Sequence, residues 1–137
     1  NVIPNYVRLT VDLRATNAKY TDGATEFLKD EARRIQETTG VKVDMRKRLH
    51  ILPSNMNQDT IALMERLGQK LGHTTMRMNS GAGHDAMIMA GIAPANMIFV
   101  PSKAGLSHHP DEWTDYEDIE KGIELMLHTV MGMCKVI

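Results

Sequence analysis

Apolar and polar positions change period several times along this chain, and each change predicts an element. From Tyr6 to Arg14 the two kinds alternate, with Val7, Leu9, Val11 and Leu13 on one side and Tyr6, Arg8, Thr10, Asp12 and Arg14 on the other. A period of two predicts a strand over 2–13 with one face buried and the other meeting water or a ligand. Ala24, Phe27, Leu28, Ala32 and Ile35 then recur at helical spacing. Thr21 or Asp22 is the expected cap of that helix, and Gly40 its terminator. A second extended segment is expected over 41–52, interrupted by the charged cluster Arg46-Lys47-Arg48. Strand, helix and strand make a small two-layer α+β unit, open on at least one edge.

Pro53-Ser54-Asn55 predicts a boundary, because proline restricts the residue before it to extended backbone. Beyond it, Asn57 or Asp59 is expected to start a helix with Ile61, Met64, Leu67 and Leu71 on one stripe and Gly72 at its end. The glycine-rich turn Ser80-Gly81-Ala82-Gly83-His84-Asp85 leads into a short apolar helix over 86–90, closed by Gly91. Asn96-Met97-Ile98-Phe99-Val100 reads as a central strand covered on both faces. Residues 101–113 form a long polar loop. Thr114 and Glu117 have capping-box spacing, and Ile119, Ile123, Met126, Leu127, Val130 and Met133 predict the inner face of a last helix. The order of elements after Pro53 predicts an α/β architecture. No internal repeat or low-complexity tract interrupts it.

Composition narrows the functional classes. The 137 residues fit one domain by length. Sixteen Lys+Arg against 17 Asp+Glu give a formal net charge of −1, so no clustered positive field argues for nucleic acid or an anionic membrane. One Trp, two Phe and three Tyr leave little for base stacking. No apolar run approaches the roughly 18–20 residues that span a bilayer. The single Cys134 excludes an intrachain disulfide and fits a reducing, cytoplasmic setting. The 11 methionines lie at helical spacing or in apolar runs, where they fill core gaps rather than bind soft metals. Residue 1 is Asn and no start Met precedes it, which suggests a piece of a longer protein.

Three places hold candidate chemistry. In the turn 80–85, glycines let backbone N–H groups approach a ligand, and His84 and Asp85 can orient or protonate it. A tight structural connection reads equally well. In the loop Ser102-Lys103-Ala104-Gly105-Leu106-Ser107-His108-His109-Pro110-Asp111-Glu112, the neighbouring His108 and His109 diverge, so at most one binds a given ion. Spacing alone makes this loop a solvated one, because no HExxH, CxxC or paired acidic motif supplies the other ligands a metal needs. Arg14 is either an ordinary surface arginine or a guanidinium that grips a carboxylate through two parallel hydrogen bonds.

Four ordered stretches carry a resemblance: Asn1-Val-Ile-Pro4 through Val11-Asp-Leu-Arg14, Ser80-Gly-Ala-Gly-His-Asp-Ala86, Met97-Ile-Phe-Val-Pro-Ser102, and Gly105-Leu-Ser-His-His-Pro-Asp-Glu112. Together they resemble the C-terminal third of the N-carbamoyl-L-amino-acid hydrolases, allantoate amidohydrolases and β-ureidopropionases, within the superfamily of dimetal aminopeptidases and aminoacylases. The resemblance implies that 1–52 ends a small α+β lid, or dimerisation domain, and that 53–137 ends an α/β catalytic domain. It implies two divalent ions, Zn, Mn, Co or Ni, with His108 as the last metal ligand. It implies that Asn1 and Arg14 bind the substrate carboxylate, that Gly83 and His84 contact the substrate, and that the lid forms a homodimer. The general base and the remaining ligands would lie upstream, so the 137-residue chain by itself is expected to be inactive. Ala104 departs from a position often Gly in the family, and His109 fills a variable one. An aminoacylase or dipeptidase of the same superfamily, or a non-catalytic dimerisation or binding module, is the alternative.

Overall fold

A computed structural model describes residues 2–134. The chain divides into two compact units, Asn1–Pro53 and Ser54–Ile137. Among the described residues the architecture is helical, without strands: α1 (Ala18–Thr39), α2 (Gln58–Lys70), α3 (Asp85–Met89) and α4 (Tyr116–Met133), with a 3₁₀ turn at Lys103–Gly105. No described helix is long and apolar enough to cross a membrane.

In Asn1–Pro53, the helix begins earlier than its apolar stripe suggests. The N-cap is Asn17, whose side chain accepts from the Lys19 amide at 2.9 Å. Thr21, one of the expected caps, lies inside the helix and donates its hydroxyl to the Ala18 carbonyl. A side-chain oxygen caps only where the backbone is still extended, and Asn17 has φ −135° and ψ 124°. Gly40 ends α1 as expected, at φ 72° with its N–H on the Gln36 carbonyl. Three i,i+3 ion pairs, Glu26–Lys29, Asp30–Arg33 and Glu31–Arg34, form on its surface. After Gly40 the chain runs back alongside the helix. The Val43 amide donates to Gln36 Oε1, and His50 Nε2 lies 3.6 Å from Asp22 Oδ1.

The expected strands require correction. Segments 2–13, 41–52 and 96–100 pair with no neighbour among the described residues. In the first, the side meant for burial is open: Leu9 is 83% and Val11 61% exposed. Alternation fixes which residues share a face, but a strand exists only where a second one completes its ladder. The α/β expectation is therefore met in its helices and not in its sheet.

In Ser54–Ile137, α2 starts where expected. Asn57 Oδ1 accepts from both the amide and the hydroxyl of Thr60 at 2.9 Å. Gly72, at φ 78°, follows the C-cap Leu71 and turns the chain so that the His73 amide reaches the Gly68 carbonyl. α2 packs on α4. The buried positions are Leu67 and Gly68 on one helix and Leu125 and Thr129 on the other. The helices approach where a side chain is missing, since a Cβ on Gly132 would lie 3.5 Å from Leu63 Cδ2. His73 Nε2 and Glu124 Oε2, 2.8 Å apart, tie the end of α2 to α4.

Two expectations for α4 fail. Asp115, not Thr114, occupies the N-cap, and no side chain caps the helix. The Asp115 carboxylate instead accepts from the Trp113 indole at 3.2 Å. The face of Ile119, Ile123, Met126, Leu127, Val130 and Met133 is not the inner one, because all six are exposed. The helix turns the neighbouring stripe of Gly122, Leu125, Thr129 and Gly132 inward. Small residues there allow a close approach that the bulky stripe would prevent.

Candidate functional site

The turn before α3 is a local construction. His84 is the N-cap of α3, and its carbonyl accepts from the Met87 amide at 2.9 Å. Its imidazole Nε2 lies 2.6 Å from Ser80 Oγ, which also accepts from the Ala82 amide at 3.2 Å. The ring meets Phe99 edge-on, with centroids 5.6 Å apart at 67°. One side of the imidazole is thus held by a hydroxyl and its body rests on an aromatic ring. At Gly83, a Cβ would meet nothing within 4 Å, so the backbone there lies open to a ligand. Gly81 and Gly83 do not take positive φ; what Gly83 contributes is the missing side chain rather than an unusual backbone. α3 has only five residues, so the helix dipole expected at this turn is small. Upstream, Arg77 clasps Glu65 of α2 through two 2.7 Å hydrogen bonds and reaches Gln58, fixing the approach to the turn.

The loop 101–113 is closed at its base by the Lys103 amide on the Trp113 carbonyl at 2.7 Å. Ala104, Gly105 and His108 all have left-handed backbone, with φ of 54°, 69° and 55°. A Cβ in this region costs about 1–2 kcal/mol, which explains why glycine suits the position of Ala104. His108 is held in that conformation by its own amide, which donates to Glu112 Oε2 at 2.8 Å. Its imidazole has no hydrogen-bond partner among the described residues. His109 differs: Nδ1 already accepts from the Asp111 amide at 3.1 Å. The described residues include no cluster of three or more His, Cys, Asp or Glu that could hold a metal ion. By themselves they do not make a metal site.

Arg14 lies in the other unit, where it forks onto Asp12. Its Nε donates to Oδ1 and Oδ2 at 3.1 and 3.0 Å, and Nη2 to Oδ2 at 2.6 Å. These hydrogen bonds hold the Asp12 carboxyl below the usual carboxylate range and raise the Arg14 guanidinium. Both side chains are more than half exposed, so a substrate carboxylate could replace Asp12 on the guanidinium at little desolvation cost. Asn1 lies outside the described residues. A depression of about 480 Å³ in Ser54–Ile137, lined by Pro101, Ser102, Lys103, Trp113, Asp115 and Asp118, includes none of the expected site residues.

Gly83 and His84 thus share one turn, and Ser80 is the residue that sequence reasoning missed. Its signal was present, since serine and histidine stand four apart across a Gly-Ala-Gly tight turn. Asp12 was also visible, two positions from Arg14 on the same face.

Residues 4–132 match Peptidase family M20/M25/M40, and the chain belongs to that family. It is 37% identical over 99% of its length to an uncharacterized hydrolase of Haemophilus influenzae. It is 34% identical over 98% of its length to an N-carbamoyl-L-amino acid amidohydrolase of Geobacillus stearothermophilus, and 33% identical over 92% to the allantoate amidohydrolase of Escherichia coli. It spans 33%, 33% and 31% of those proteins, about a third of each. Among solved structures, a hydantoinase/carbamoylase family amidase from Burkholderia multivorans superposes with a TM-score of 0.79 at 26% identity, over 86% of this chain and 29% of that one.

Proposed function

We propose that this chain is part of an amidohydrolase that cleaves linear amide or amidine C–N bonds in N-carbamoyl amino acids or ureido acids such as allantoate. The observation that carries the reading is the match, over nearly the whole chain, to relatives named for those reactions. Residues 1–52 would belong to a lid through which two subunits pair, and 53–137 to the catalytic domain of a cytoplasmic enzyme. Arg14, with Asn1, would take the substrate carboxylate in place of Asp12. Gly83 would offer open backbone and His84 a fixed imidazole to a bound substrate. His108, with its free imidazole, would contribute one ligand to a pair of divalent ions whose remaining ligands come from outside this chain. Such ions, when bound, lower the pKa of water and polarise the scissile carbonyl. Hydrolysis would add water at the ureido carbon and break one C–N bond to release ammonia, and the N-carboxylate left behind would lose CO2 to free the amine.

A second reading is favoured by the family's peptidase membership: hydrolysis of an N-acyl amino acid or dipeptide. Ammonia release from N-carbamoyl amino acids and allantoate, measured with the full-length protein and added Mn or Zn, separates the two. Release of ammonia supports the ureido reading. Cleavage of dipeptides or acyl amino acids without ammonia overturns it. The 137-residue chain by itself should release none, and turnover by it would show that the metal site is complete without further chain.

A further inference from the structure

The geometry points to Ser80 as a positioning residue that sets the ring orientation and tautomer of His84. This rests on the proposal that His84 meets the substrate. Three contacts converge. Ser80 Oγ lies 2.6 Å from His84 Nε2, Oγ is itself held by the Ala82 amide, and the imidazole edge rests against Phe99. With the Ala82 N–H occupying one lone pair, the hydroxyl proton is available for Nε2. The arrangement assigned from this network has Ser80 donating to Nε2 and the imidazole carrying its proton on Nδ1. Nδ1–H then becomes the group offered to a ligand. Nε2, turned back into its own loop, is withheld.

The four-residue spacing matters physically. Gly81, Ala82 and Gly83 are small enough for the chain to fold back until a serine and a histidine four positions apart meet side chain to side chain. The same turn leaves Gly83 open. One short segment therefore supplies the open backbone, the imidazole and the hydroxyl that aims it. Without the hydroxyl the ring would keep its Phe99 contact. It would lose the only hydrogen bond to its ring among the described residues, and both tautomers and a flipped ring would become available.

Two measurements test this. In the 137-residue chain, ring carbon and nitrogen shifts of His84 should report the Nδ1–H tautomer. Ser80→Ala should give a mixture, and Ser80→Thr, which keeps the hydroxyl, should restore the single form. Unchanged ring shifts in Ser80→Ala overturn the proposal. In the full-length enzyme acting on an N-carbamoyl amino acid, Ser80→Ala should lower kcat/KM about tenfold, with recovery by Ser80→Thr. In a His84→Ala background the same change should have no further effect. A full Ser80→Ala loss that persists in that background would mean that serine acts independently of His84, and overturns the proposal. If His84→Ala is costly but Ser80→Ala is silent, the positioning role fails while the substrate role of His84 stands. If His84→Ala itself leaves turnover intact, both fall.

Discussion

The two units of this chain are held together in different ways. In Ser54–Ile137, two helices bury Leu67, Leu125 and Thr129 between them and close in at Gly132. The Thr129 hydroxyl, buried there, donates to the Leu125 carbonyl, so the interface carries no unsatisfied side-chain group among the described residues. In Asn1–Pro53, α1 buries no residue at all. It has an N-cap, a glycine C-cap and three surface ion pairs, every one of them formed within about a turn of the chain. Local devices of this kind define a helix but contribute little to its stability, most of which normally comes from packing an apolar face. One unit draws on a buried helix–helix interface; the other draws mainly on neighbours in sequence, with longer links such as Gln36–Val43 and Asp22–His50 at its surface.

The largest expected effect tests that contrast directly. Leu125→Ala should destabilise Ser54–Ile137 by about 2–4 kcal/mol, through lost burial and the cavity left between α2 and α4. Phe27→Ala should cost less than about 1 kcal/mol, since Phe27 is 64% exposed. Urea unfolding followed by far-ultraviolet circular dichroism would compare them. Equal losses would mean that α1 is covered in solution by another surface, and the contrast would break.

A middle-sized effect sharpens the account of α1. Gly40→Ala should destabilise the helix by about 1 kcal/mol, because the C-cap has φ 72°. Gly23→Ala, inside the same helix with nothing within 4 Å of a new Cβ, should stabilise it by about 0.5–1 kcal/mol. Amide exchange across α1 reads both. The same sign for the two substitutions would contradict the caps-and-propensity description of this unit.

The smallest effect concerns the ion pairs. The Arg77 hydrogen bonds hold the Glu65 carboxyl below its usual range. A depressed folded-state pKa means that the pair's contribution is present above the unfolded value and is lost as pH falls through the folded one. Acidification should therefore release the Arg77 clasp on α2 only below the ordinary Glu range near pH 4.3. Carboxylate carbon shifts of Glu65 should show that lowered midpoint, and Arg77→Gln should return it to the ordinary value. An unshifted midpoint in the unsubstituted chain would remove the clasp from the description.

How much of this was legible in advance depended on range. Gly40, Asn57, Gly72 and the turn 80–85 could be read from the sequence because caps and turns are set by residues within a few positions. Asn17 was missed because the apolar stripe, from Ala24, starts nearly two turns after the helix does at Ala18. Thr114 was misassigned because Asp115 stands beside it and is bound to Trp113. The inner face of α4 was misread because hydrophobicity ranks residues by their need for cover. Contact in this fold follows the small residues Gly122 and Gly132, which let α4 lie close to its neighbours. Among the candidate residues, Arg14, Gly83, His84 and His108 were picked out by residue type and resemblance. Spacing put Asp12 near Arg14 and Ser80 near His84, but the hydrogen bonds between them were established only by the coordinates.

By itself, then, the sequence determined the helices, the glycines that close α1 and α2, and the motif residues that go with its family. All of these follow from short-range backbone preferences or from residue identity. Tertiary structure decided which stripe of α4 faces α2, which histidine of the pair in the 101–113 loop keeps a free imidazole, and what holds His84. Those depend on the close approach of atoms distant in the chain, or on a turn geometry that residue types permit without specifying.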